Sequence, residues 1–413
     1  MRTIVLYEDE SFVDLLPLAM WRFVFELRLG RRSLMDRLAQ GLGASLAGVW
    51  VRPWMARLAG PRCGAPCNEP VPAGTVLVNG RWVLDEPFKL PKEPCQGVVD
   101  GTTVFAVCDA ETARQLDPRD LIDAQRSKLA LMTLKRVPAP GWLVRRPWDL
   151  ITRLGQSLEN DWKSAEAGFE STPDKRVFVN ERERIHVGAN TRIHPTACLD
   201  AAKGPLFISH DVSIGAHAVI EGPAYIGPGT TINPHAWLHG ANAIGPVCKV
   251  GGEIDGCLID GYSNKQHAGF LGHAYVGSWV NIGAGACNSD LKNTYGKIRV
   301  PINGRDVDTE LQFFGAVIAD HVKIGINASV PTGAAIGMAS MIGATRVIPK
   351  YIPSFSWVTD DRVGAGDPMR LLDVACAAMA RRNVEMTDDE VELFIEMGTI
   401  AKEFEARAPR STS

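Results

Sequence analysis

Residues 208–250 read ISHDVSIGAHAVIEGPAYIGPGTTINPHAWLHGANAIGPVCKV, and their period decides the fold. Ile208, Ile214, Ile220, Ile226, Ile232, Leu238, Ile244 and Val250 fall on every sixth residue. The beat returns at Ile318, Ile324, Val330, Ile336, Ile342 and Ile348, and an earlier trio, Val187, Ile193 and Leu199, shares the spacing. Six fits neither a helix of about 3.6 residues per turn nor an amphipathic strand of about two. It fits short strands joined by tight turns, each with one inward aliphatic, stacked as a solenoid. Three hexads per coil make a triangular prism with coils about 4.8 Å apart. Gly or Asn after the aliphatic residue relieves the backbone at a corner.

The beat is expected to break at Gly261–Gly272, GYSNKQHAGFLG, where Asn264, Lys265, Gln266 and His267 are bunched. The strand VNIGAGA and a long loop from Asn288 to Gly315 follow. Acyl transfer to an amine needs a base that titrates near neutrality, because an ammonium is not a nucleophile; His267 is the candidate. A backbone N–H in the Gly-rich IGAG turn could hold the thioester oxyanion. Asn264 and Lys265 are expected to contact sugar hydroxyls or a phosphate. The loop is too long for a plain turn and is expected to build a substrate site, with Lys292, Asn293 and Tyr295 toward a phosphate or pantetheine arm.

The solenoid resembles the hexapeptide-repeat acyltransferases, whose prism is a left-handed parallel β-helix. The stretch GGEIDGCLIDGYSNKQHAGFLGHAYVGSWVNIGAG resembles more closely the acetyltransferase half of the bifunctional family that makes UDP-N-acetylglucosamine. That resemblance implies acetyl-CoA as co-substrate, a glucosamine-1-phosphate-like acceptor, His267 as base and Asn281 as a sugar contact. It places Ala284, Lys292, Asn293, Tyr295 and Ala344 along the acyl-CoA groove and implies a homotrimer. The family has Tyr three residues after its base, where this chain has Phe270, so a hydroxyl contact to the sugar is missing.

Residues 1–165 lack the period and read as an α/β domain, with strands at RTIVLYE and GTVLVNG and helices at SLMDRLAQGL and DAQRSKLALMTLKR. No Gly-rich phosphate loop follows the first strand; the first glycine is Gly30. The motifs Leu15-Leu16-Pro17-Leu18, Arg22 and Glu26-Leu27-Arg28-Leu29-Gly30 instead resemble a shortened sugar-nucleotidyltransferase-like domain. That implies nucleotidyl transfer with UTP and Mg²⁺. Arg22 and Arg28 are candidates to hold a sugar phosphate or nucleotide, with an Arg22–Glu26 ion pair as the alternative. Residues 166–180 read as a linker, 181–355 as the β-helix and 356–413 as a helical tail. Within the tail, Thr387 caps a helix bearing the stripe Val391, Phe394, Ile395 and Met397.

Composition narrows the partners. The chain has 413 residues, 46% hydrophobic and 22% charged, with a formal net charge of −3. That balance predicts no long-range attraction to nucleic acid or anionic membranes. No apolar run reaches the ~20 residues of a membrane span, so a cytoplasmic protein is expected. The nine cysteines form no paired framework, and the isolated pair Cys63 and Cys67 has no second ligand pair nearby, so no metal is expected there. Two other functions compete with acetyl transfer. His217 and His235, one coil apart, and His239 outline a γ-carbonic-anhydrase-like zinc enzyme. The other is a non-catalytic trimeric scaffold that binds sugar phosphates.

Overall fold

The computed structural model describes residues 2–405. The amino-terminal part is an α/β unit around a six-stranded mixed sheet. Arg2–Tyr7 lies centrally, parallel to Ala44–Trp50 on one side and Val76–Asn79 on the other. Thr102–Val107, Cys95–Val99 and Arg136–Pro138 complete the sheet. The helix Leu34–Leu42 begins where the Ser33 side chain accepts from the Asp36 N–H, and it ends at Gly43 in a left-handed conformation.

A parallel solenoid follows, with two ten-stranded ladders and a six-stranded third. Pairing starts at Gly168–Phe169 and continues at Phe178–Asn180, so the stretch read as a linker already supplies the first coil. The hexad aliphatics face inward: Ile208 through Val250 and Ile318 through Ile348 are all buried in one apolar column. The corners are tight enough to hold non-glycine residues at positive φ, among them Tyr262 (63°), Trp279 (61°) and His321 (62°) in successive coils.

The beat does not fail at Gly261–Gly272. Ile259, Lys265 and Leu271 stay six apart and all three are buried. The coil is shortened one step earlier, where Val250, Ile254 and Ile259 follow each other at four and five residues. Lys265 therefore occupies an inward slot, in register with Val250.

The three faces of the prism have different fates. The first carries outward Tyr225, Ala243, Leu258, Tyr275, Val317 and Ala335, which pack into the apolar core of the amino-terminal unit. This is the docked face. The second presents Asn264, Asn281 and Lys323 beneath the tail helix Pro368–Ala380. On the third, strands such as Trp237–His239 and Glu253–Asp255 turn polar residues and Trp237 to solvent; this is the open face.

The tail helices complete the docking. Thr387 and Glu390 cap Asp388–Glu405 reciprocally, with Glu390 N–H donating to Thr387 Oγ1 at 3.3 Å and Thr387 N–H to Glu390 Oε2 at 3.1 Å. Phe394 and Met397 of the expected stripe are buried, and Phe394 makes edge contacts with Trp21, His321 and Phe355. The stripe packs across both units rather than against the prism alone. No helix is long and apolar enough to cross a membrane among the described residues.

Candidate active site

His267 sits on an exposed corner at the end of the strand Asn264–Lys265. Gly269 makes the corner possible: its φ is +129°, and a Cβ there would lie 2.4 Å from the Ala286 carbonyl oxygen. The next coil stacks directly on it, with Gly285 N–H donating to the Ala268 carbonyl at 3.0 Å. The base candidate and the IGAG turn are thus adjacent corners, one coil apart.

Lys265 corrects the sequence reading. Its side chain lies inside the prism, 1% exposed, and Nζ donates to the His267 carbonyl at 2.6 Å. Burial lowers its pKa. It cannot reach a sugar from there; it ties down the backbone of the residue that carries the imidazole. Ala344 is likewise turned into the core, 2% exposed.

The remaining candidates sort into three places. Asn264 and Asn281 share a cavity of about 340 Å³ with Lys323 and Arg382, and Asn264 Oδ1 accepts from Arg382 at 2.9 Å. Burial brings Lys323 down to about 8, and its Nζ donates to the Trp279 and His321 carbonyls. Lys292 and Asn293 line a groove of about 610 Å³ with Cys287, Asn288 and Thr332. Ala284 is half-buried in the IGAG turn, with its carbonyl engaged by the Asn327 N–H at 2.8 Å. Tyr295 stands exposed at the tip of the same loop.

The rest of that loop does a different job. The hairpin Arg299–Ile302/Arg305–Asp308 buries Ile298, Val300 and Ile302 in the amino-terminal core, and Asn303 Nδ2 donates to the Val13 carbonyl at 2.7 Å. Only its first turn borders the groove.

Arg22 and Arg28 lie at the junction of the two units. Arg22 does not pair with Glu26; it meets Asp260 at 3.1 Å and chelates Asp320 through Nε at 2.9 and 3.0 Å. Burial raises Asp260, whereas the charge and hydrogen bonds of Arg22 outweigh burial at Asp320 and hold it below the usual carboxylate range. Glu26 faces Arg62 instead, at 3.6 Å.

The strand ends that would face a nucleotide in an open α/β sheet are filled. Glu8 accepts from Arg52 Nε at 3.0 Å, and Asp9 accepts from Arg81 Nε at 3.0 Å and Asn79 at 2.7 Å, all buried. These carboxylates are neutralised by arginines and do not fit Mg²⁺ ligation.

The zinc-enzyme reading fails. His217 and His235 stack at 5.0 Å, but His239 turns onto the open face toward Glu253 at 3.2 Å and Asp255 at 3.5 Å. Among the described residues the one group compatible with a metal is Asp255, His273 and Asp290, not the three histidines. Burial pushes the Cys63 and Cys67 thiols up to about 12 and about 11, away from thiolate. Sequence reasoning missed His273, held by Asp290 at 2.8 Å across one short coil; only coil registration could have paired them.

Residues 4–170 match the family described as sugar nucleotidyl transferase. The bifunctional protein GlmU of Methanococcus vannielii is 33% identical over 106 residues, 26% of this chain and 25% of that protein. The bifunctional sugar-1-phosphate nucleotidylyltransferase/acetyltransferase of Sulfurisphaera tokodaii is 23% identical over 300 residues, 70% of this chain and 68% of that one. Over these stretches the chain is similar to GlmU-like bifunctional proteins. Its architecture is the one expected from the sequence, an α/β unit followed by a parallel β-solenoid and a helical end. The matched stretch spans about a quarter of the length of the Methanococcus GlmU proteins. The solved UDP-N-acetylglucosamine acyltransferase of Francisella novicida covers 57% of this chain and 90% of its own at 13% identity, with a TM-score of 0.35.

Proposed function

We propose that the protein is a cytoplasmic N-acetyltransferase that moves the acetyl group of acetyl-CoA to the amine of a sugar 1-phosphate such as glucosamine-1-phosphate. The observation that carries this reading is the stacking of the His267 corner on the Ile282–Gly285 corner, beside the groove of Lys292 and Asn293. His267 takes a proton from the amine as it attacks the thioester carbon, a backbone N–H of the Gly-rich turn faces the oxyanion, and CoA leaves as thiol. Lys265 positions the base through the His267 carbonyl. Asn281 holds the sugar, and Lys292, Asn293 and Tyr295 contact the CoA arm. The exposed His267 corner and the groove beside it would be closed by a neighbouring subunit of a homotrimer; light scattering tests that. Nucleotidyl transfer from UTP by the amino-terminal unit is the second proposed activity, supported by the family match over residues 4–170. Because Glu8 and Asp9 do not fit Mg²⁺, no step is assigned to the ion.

Thiol release from acetyl-CoA with glucosamine-1-phosphate tests the main reading. His267→Ala lowers turnover by on the order of 10²–10⁴ with little change in acetyl-CoA affinity. Asn281→Ala raises the acceptor KM. Full turnover in His267→Ala, with loss in His273→Ala, moves the base to the His273–Asp290 pair. No release above the variant background with any amino-sugar acceptor sinks acetyl transfer and leaves the scaffold.

A further inference from the structure

The open face of the prism carries a group of side chains that neither the groove nor the docked junction uses. Asp255 ends the strand Glu253–Asp255, His273 follows Phe270–Gly272, and Asp290 follows Cys287–Asn288. Asp255 lies opposite Gly272 in a parallel ladder. The third coil is held in register by Asn288, whose Nδ2 donates to the Gly272 carbonyl at 2.8 Å while its Oδ1 accepts from the Gly272 N–H at 2.7 Å. The three residues therefore rise through successive coils at one corner. One nitrogen or oxygen atom from each lies within 4.8 Å of the other two. His273 Nδ1 stands 2.8 Å from Asp290 Oδ2, and His239 Nδ1 stands 3.5 Å from Asp255 Oδ1.

Two observations separate this group from ordinary surface charge. The first is its lack of a permanent counter-charge. On the same face Glu221 is met by Lys203 at 2.7 Å, and at the docked junction Asp260 and Asp320 are met by Arg22. Asp255, Asp290 and the neighbouring Glu253 pair only with histidines; among the described residues no lysine or arginine pairs with them. The side chains of Asp255 and Asp290 are 25% and 14% exposed, so water screens their mutual repulsion only in part. The second observation is the room made for the donors. A Cβ at Gly272 would lie 2.6 Å from Asp290 Oδ2, and one at Gly256 would lie 3.3 Å from His273 Nε2. Each glycine lets the side chain of the next coil lie over the corner, where the donors converge.

We propose that Asp255, His273 and Asp290 bind a divalent transition-metal ion, with Zn²⁺ the best match. One imidazole nitrogen and two carboxylate oxygens suit Zn²⁺ and its first-row neighbours, whereas Mg²⁺ and Ca²⁺ take oxygen donors. Donors on one tetrahedral zinc stand about 3.4 Å apart, so small rotations of these partly exposed side chains close the set. Three protein ligands leave a fourth position to water. His239 stands behind Asp255 as its positioning partner. The ion supplies the missing positive charge and clamps three coils together. Asp290 also opens the loop that carries Lys292 and Asn293, so an occupied site fixes the first turn of that loop to the prism. The site shares no residue with the stacked His217 and His235, and no chemical step is assigned to it.

Calorimetric titration of the full chain with Zn²⁺, Mn²⁺ and Mg²⁺ tests this, on protein freed of metal by a chelator and carrying no histidine tag. One Zn²⁺ per chain is expected to bind with a Kd of about 1 μM or tighter, on the order of 10-fold or more ahead of Mn²⁺ and further ahead of Mg²⁺. Removing a group that merely supports a metal ligand typically weakens binding by about 10–100-fold. Asp255→Asn and His273→Gln alter ligands themselves, so each is expected to cost at least about 10-fold. Glu221→Gln, on the same face, leaves the affinity unchanged. Circular dichroism checks that each variant is folded; if His273→Gln is not, Asp255→Asn decides alone. Absence of Zn²⁺ binding at about 0.1 mM overturns the proposal. So does Zn²⁺ binding that Asp255→Asn leaves unchanged, or Mg²⁺ binding as tight as that of Zn²⁺. Titration requires no turnover, so its failure is distinct from failure of acetyl transfer.

Discussion

The docked and open faces of the prism grow from one repeat and end differently. Inward, both present aliphatics, such as Ile226 and Ile244 under the docked face and Ile220 and Leu238 under the open one. Outward, the docked face carries Tyr225, Leu258, Tyr275 and Val317, whereas the open face carries Asp200, Glu221, His239 and Asp255. The repeat therefore settles what lies inside and leaves the outward slots to decide what can dock. Apolar slots drew in a second unit, and the charged ones stayed solvated.

The hardest test of that contrast is Arg22→Ala. It leaves Asp260 and Asp320 buried at the docked junction without their main counter-charge, and breaking a buried pair from one side costs about 3–5 kcal/mol. Urea unfolding measures it; a loss below about 1 kcal/mol would mean that docking does not depend on this ion cluster.

Acid probes the same junction. Burial, ahead of repulsion from Lys323, depresses His321 to about 3, so the folded chain keeps it neutral while the unfolded chain protonates it below about 6.5. The unfolded state then binds the extra proton, and stability falls as pH drops from about 6.5 toward 3, at up to about 1.4 kcal/mol per pH unit. Thermal melts of His321→Gln across that window should show a flatter slope, and an unchanged slope would assign the acid sensitivity elsewhere.

Lys265→Met sharpens the inward half of the comparison. It replaces a buried cation by an apolar side chain of similar length, raising stability by about 1 kcal/mol, while loss of the tie to the His267 carbonyl lowers turnover by about tenfold. Higher stability with full turnover would make Lys265 structural only. The smallest effect belongs to the open face. Glu221→Gln removes a carboxylate held below its usual range first by the Lys203 hydrogen bond, and stability should move by no more than about 0.5 kcal/mol. A larger loss would mean that this face is covered in solution.

Much of the prism was legible because its period is a local constraint. Ile208 through Val250 had to face one way whatever surrounded them. The misreading at Gly261–Gly272 has a physical cause: Lys265 keeps the six-residue step, but its polarity disguises an inward slot. The Thr387 cap was legible for the same local reason. The site was legible only in part. His267 and the IGAG turn are recognisable as types, yet the His273–Asp290 pair required knowing how many residues each coil omits.

The sequence by itself determined the solenoid, its inward column, the α/β unit ahead of it and the capped helix behind it, because repeat period, strand composition and cap chemistry act over a few residues. Tertiary structure alone decided that Arg22 answers Asp320, 298 positions away, rather than Glu26 beside it. It also decided that the long loop splits between a groove and a docking hairpin, and that Arg28, Asp260 and His321 face one cavity with unpaired atoms. Those outcomes depend on which faces meet, and charge pairing across a docked surface leaves no period in the chain.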